Sequence, residues 1–161
     1  MSQSAPGRSS CGRDRPMSGV MYAAEHDPQH AVAVWRMAGP ISDAEWAEHR
    51  RDMMRIATWP ATPRPAVLLE VRDFAPTARQ RADLAELSAR PGYQPLLVLV
   101  SSNALLRGAL QAIHWLQRKS VTHEMEITAD VEGALRWLEH RRGEPLSSLR
   151  AMARPLPHAT R

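Results

Sequence analysis

A single cysteine, Cys11, excludes an internal disulfide and any zinc site built on thiolates. Glycine is scarce, with eight residues, and none falls into a phosphate-cradling loop. Lysine occurs once, at Lys119, and arginine supplies the other positive charges, a bias that fits a GC-rich coding sequence better than any activity. Unbroken apolar runs are short. Leu96–Val100 is the clearest, far from the roughly 18 residues a membrane span needs. The opening stretch MSQSAPGRSSCGRDRPMSG has no apolar segment of the kind a secretory signal carries, so no membrane span and a cytoplasmic location are expected.

Charge of one sign is also missing where a nucleic-acid binder would need it. The net charge of +4 gathers at the two ends: residues 1–19 and 144–161 each sum to +2, and residues 20–143 sum to zero. No basic patch on the folded region is expected, and no nucleic-acid partner.

The 161 residues fit one domain spanning 20–143. Residues 1–19, rich in Ser, Gly, Arg and Pro, read as a disordered tail. Residues 144–161 read as a flexible one. Gln94–Lys119 is the most legible stretch. Leu96–Val100 predicts a strand buried on both faces, Ser101-Ser102-Asn103 supply helix caps, and Leu105, Leu106, Ala109, Leu110, Ile113 and Leu116 follow at helical spacing. Upstream, Val20–Glu25 and Ala31–Met37 predict an antiparallel hairpin. Ser42-Asp43-Ala44-Glu45 is a capping box that opens a helix to about Thr58, with Ile41 and Trp46 as its hydrophobic staple. The inner face of that helix should hold Trp46, His49 or Arg50, Met53, Met54 and Ala57.

Ala66–Val71 predicts a strand interrupted by Glu70. Thr77–Gln80 is a second capping box, opening a helix with Ala82, Leu84, Ala85 and Leu87 inward. Thr122–Thr128 alternates as an edge strand does, and Asp130 caps a last helix that turns Val131, Ala134, Leu135 and Leu138 inward. The expected fold is α/β in the order β-β-α-β-α-β-α-β-α. It has a mixed, mostly parallel sheet, an N-terminal antiparallel hairpin and four helices.

Catalytic signatures do not emerge. His26 and His30 have the i, i+4 spacing of a metal helix but flank a proline turn. Ser101 and Ser102 lack the glycines of a nucleophile elbow. A receiver-domain pocket would need an acidic pair where Gly39-Pro40 stands. No metal, no cofactor and no enzymatic activity are expected.

Three segments resemble the STAS-like family, the anti-sigma-factor-antagonist fold, in its SpoIIAA-like branch. They are Arg36–Ser42 leading into a capped helix, Ala66–Thr77, and Glu126–Leu138. The resemblance covers roughly Val20–Arg142 and implies a non-enzymatic, bacterial regulatory module that binds a protein partner. The alternative it implies is a binder of a small apolar ligand or lipid between helix and sheet; Met53, Met54 and the apolar Leu105–Leu116 helix suit such a lining. In sigma-regulatory members a Ser or Thr at the start of the second helix is phosphorylated. Thr77, within Asp73-Phe74-Ala75-Pro76-Thr77-Ala78, takes that place as candidate phosphoacceptor. The helix after Leu96–Val100 carries more apolar surface than one face can bury, so Leu105, Leu106 and Trp115 are the candidate interaction surface and a homodimer the simplest way to cover it.

Overall fold

The computed structural model describes residues 22–117 and 123–154. Residues 1–19, read above as a tail, fall outside the described residues, as do Val20, Met21 and Thr122 at the starts of two expected strands. β1 (Tyr22–Asp27) and β2 (Val32–Ala38) pair antiparallel. β3 (Ala66–Arg72), β4 (Leu96–Val100) and β5 (Glu124–Thr128) add in parallel, giving the spatial order β1-β2-β3-β4-β5. Helices α1 (Asp43–Ala57), α2 (Ala78–Ser88), α3 (Ala104–Gln117) and α4 (Val131–Arg142) follow β2, β3, β4 and β5 in turn. This is the mixed α/β sheet that the alternating pattern predicts.

Both capping boxes form. Ser42 Oγ accepts from the Glu45 amide at 3.3 Å and Glu45 Oε2 accepts from the Ser42 amide at 2.8 Å. Thr77 Oγ1 accepts from the Gln80 amide at 3.2 Å, and Gln80 Oε1 from the Thr77 amide at 2.9 Å. Each box satisfies two amides that a helix start leaves without partners. At α3 the cap is Asn103, whose Oδ1 accepts from the amides of Leu105 and Leu106 at 3.0 and 3.2 Å. Asp130 accepts from the Gly133 amide at 2.7 Å to open α4, and Gly143 closes it at φ 71°, where a side chain would be strained.

Alternation along the strands splits the core in two. Trp35 and Met37 of β2, Val67 and Val71 of β3, and Leu97 and Leu99 of β4 face α1 and α2, with Leu106 and Leu110 of α3 packed at the margin. Val32, Val34, Leu68 and Val98 point the other way, onto Ala134, Leu135 and Leu138 of α4.

Two expectations are corrected and one open choice is settled. Residues 144–154 are not a flexible extension: Ser147–Met152 forms a fifth helix, α5, which packs on β2. Leu146 and Leu149, three residues apart, are buried, so one short apolar stripe suffices to dock it. Arg36, in register with Glu70 on β3, donates to the Met152 carbonyl at 2.6 Å and to Glu70 at 3.2 Å, tying the helix end to the sheet. On α2, Ala82 and Ala85 are exposed; Gln80, Leu84 and Leu87, spaced by four and three, make the inner face instead. On α1 the choice between His49 and Arg50 falls to His49, which is buried, while Arg50 reaches Asp83 at 3.8 Å.

Candidate functional site

The buried stripe of α1 reads Trp46, His49, Asp52, Met53 and Ile56. An imidazole and a carboxylate on an otherwise apolar face are costly to bury unless their hydrogen bonds are met. The hairpin meets them. Tyr22, at the start of β1, donates its hydroxyl to Asp52 Oδ2 at 2.7 Å and lies 3.3 Å from His49 Nδ1. His26, two pleats along the same face of β1, comes within 3.5 Å of Asp52 and 3.2 Å of Trp35 Nε1. Arg55, on the solvent side, reaches Asp52 and His26 Nδ1, each at 3.2 Å. The carboxylate thus sits at the centre of a polar cluster running from the surface at Arg55 to the buried His49.

The protonation states follow from this geometry. Tyr22 directs its proton to Asp52, so the Tyr22 oxygen is left to accept from His49, and His49 carries its proton on Nδ1. Burial among Trp35, Trp46 and Tyr22, with ring centroids at 5.1, 5.3 and 5.3 Å, pushes the His49 pKa down to about 3, and the ring is neutral at physiological pH. Burial, followed by the hydrogen bond to Asp52, raises the Tyr22 pKa far above the usual phenol range. Burial also lowers the His26 pKa, against the opposing pull of Asp52.

His49 is also a wall of an apolar cavity of about 140 Å³ between the sheet and the α1–α3 layer. Trp35, Met53, Leu69, Leu97, Leu99 and Leu110 supply most of the rest. Tyr93 and His123, edge to face at 5.5 Å, also line it. Arg81 and Ser88 of α2, both reaching solvent, mark its open side. An adjoining chamber of about 70 Å³ shares His49, Leu69, Leu84, Leu99 and Leu110, and is closed by Trp46, Val71 and Phe74.

The residues singled out in the sequence do not converge on this cavity. Thr77 is exposed at the start of α2 with its hydroxyl engaged in the cap. Leu105 is 86% exposed, and Leu106 is half-buried against the core. Trp115 lies in α3, but its side chain is outside the described residues. Leu146 and Leu149 pack on the opposite face of the sheet, so they leave α3 uncovered. Of the two methionines expected to line a pocket, Met53 lines this cavity, whereas Met54 lies in a separate polar groove with Arg50, Arg51 and Leu87. His26 and His30 part company: His30 Nδ1 pairs with Asp27 at 2.6 Å, and no group of three metal-ligating side chains forms among the described residues.

Sequence reasoning missed the Tyr22–Asp52–His49 cluster. The signal was present as His49 and Asp52, three apart on the apolar stripe of α1; Tyr22 could not be assigned without the strand pairing. No family model, curated protein or solved structure matches the chain.

Proposed function

We propose that the protein is a non-enzymatic binding module that holds a small apolar ligand in the cavity between the sheet and helices α1–α3. The observation that carries this reading is the cavity itself: about 140 Å³, walled by Trp35, Met53, Leu97 and Leu99, and open toward α2. Well-packed interiors leave few voids larger than a water molecule, and an apolar void of about 150 Å³ holds one benzene ring. The polar group that enters the wall argues for binding over turnover. With its pKa near 3, His49 accepts a hydrogen bond at neutral pH without taking the proton, which makes it a poor general base.

The test is thermal unfolding with a panel of small apolar compounds, beside native mass spectrometry of the freshly purified protein. Binding should raise Tm for at least one ring-sized compound. Leu84→Phe, which places a ring into the space Leu84 borders, should abolish that rise while leaving the protein folded. A flat Tm across the panel, with a single apo mass, would remove this reading.

A second reading rests on Leu105, whose side chain stands 86% exposed at the start of α3. It makes α3 a docking surface for a protein partner or a second copy, as the STAS-like resemblance implies for a regulatory module. The order β-β-α-β-α-β-α-β-α from β1 to α4 and the capped start of α2 at Thr77 support placing the chain in that family. Phosphate on Thr77 would bring negative charge to the positive end of α2. Incubation with the native organism's kinases followed by mass mapping tests that role.

A further inference from the structure

The cavity carries one buried polar feature whose direction is fixed. Tyr22 donates to Asp52 at 2.7 Å, so its oxygen accepts from His49 Nδ1 at 3.3 Å. That holds His49 as the Nδ1–H tautomer and leaves a lone pair on Nε2, at the tip of the ring. Nε2 forms no hydrogen bond among the described residues, although His49 is 2% exposed. The ring walls both chambers. An acceptor nine-tenths buried against an apolar cavity is satisfied only by a donor that enters the cavity.

Resting on the apolar-ligand reading above, we infer that the cavity selects a neutral, single-ring molecule carrying one hydrogen-bond donor, a phenol, with that donor on His49 Nε2. Size sets the ring: about 140 Å³ matches a single benzene ring. The adjoining chamber of about 70 Å³ gives room for a short alkyl substituent. Polarity sets the donor, because an uncharged imidazole offering a lone pair attracts O–H or N–H. Charge sets neutrality. An anion would meet that lone pair, and the only cation lining the cavity among the described residues, Arg81, is exposed and donates to the Pro76 carbonyl at 2.7 Å. Asp52 and Tyr22 act as positioning residues that hold the tautomer.

The experiment compares toluene, phenol and benzoate on the full chain, by titration calorimetry and by nitrogen NMR of protein labelled at histidine. The free protein should show His49 with an unprotonated Nε2. Phenol should bind about tenfold tighter than toluene, the worth of one net hydrogen bond, and should move the Nε2 resonance. Tyr22→Phe should release the tautomer and erase most of the preference while toluene affinity stays as it was. Asp52→Asn, which keeps the shape of the side chain, should do the same more weakly and stands in if Tyr22→Phe does not fold. Equal affinity for phenol and toluene overturns the inference and leaves the apolar cavity standing as a site. Tighter binding of benzoate also overturns it, and moves recognition to Arg81. Failure of all three compounds to bind removes the cavity reading together with this one.

Discussion

The two faces of the sheet are built from the same strands and solve different problems. Beneath α4 and α5 the buried cluster is wholly aliphatic, from Val32 and Val34 through Leu68 and Val98 to Leu138 and Leu149. Its polar contacts are at the rim: Arg36 bridges Glu70 and the Met152 carbonyl, and Arg150 holds Glu139 at 2.7 Å. Beneath α1–α3 the cluster contains Tyr22, Trp35, Trp46, Phe74 and Tyr93, with His49 and Asp52 buried among them and a cavity left open. Large rings fill space less evenly than branched aliphatics, and their N–H and O–H groups need partners inside the core. One face is packed for stability; the other gives up packing for a shaped, polar-edged void.

That contrast should be largest in the response to truncation. Leu138 is fully buried on α4, and Leu138→Ala should cost about 3–5 kcal/mol by urea unfolding. Leu84, half-buried beside the cavity, should cost about 1–2 kcal/mol as Leu84→Ala, because its outer side already meets few atoms. Equal costs at the two positions would mean that the α1–α3 face is as tightly packed as the other.

Acid sharpens the comparison next. The folded pKa of His49 is about 3 against an ordinary 6.5, so the unfolded chain binds the proton first as pH falls. The stability contributed by its neutral form is complete above about pH 6.5 and declines toward pH 3, at up to about 1.4 kcal/mol per pH unit. His26, also depressed by burial, contributes with the same sign. The pairing of Glu124 with Arg64, and of Glu139 with Arg150, lowers those carboxyl pKa values, so their losses begin only below about pH 4.5. Denaturation curves from pH 7 to pH 5 therefore isolate the imidazoles. His49→Gln should flatten the slope strongly and His26→Gln less. A parent slope that His49→Gln leaves unchanged would show that the buried ring is already protonated or solvated.

What was legible in the sequence is what depends on local pattern. Ser42 and Thr77 announce their helices because a capping box uses four adjacent residues, and Leu96–Val100 announces a central strand because both its faces are covered. The edge position of β5 was readable from its alternation. The polar cluster was not, because it joins Tyr22 to a helix 30 residues on and needs the hairpin in register to bring them together. α5 was missed for a related reason: two leucines and a six-residue helix carry little periodicity, and its docking depends on Arg36, 116 residues away. The cavity is a property of what three helices fail to fill, which no single segment encodes.

The smallest expected effect on stability tests the surface on which the second reading rests. Leu105 is a large hydrophobic residue 86% exposed at the first turn of α3, beside Asn103, the cap. A side chain with so little buried area adds almost nothing to folding, so Leu105→Glu should shift the unfolding free energy by no more than about 0.5 kcal/mol. An acidic residue in the first turn of a helix is in any case favourable to its dipole. If α3 is where two copies meet, the substitution places a charge in an apolar contact. Sedimentation should then show the parent as a dimer at high micromolar concentration and the variant as a monomer of unchanged stability. A parent that stays monomeric removes self-association from α3. A variant that loses several kcal/mol would place Leu105 inside the fold, contrary to its exposure, and would erase the difference between an α3 margin left open to solvent and an α4–α5 face sealed by Leu146 and Leu149.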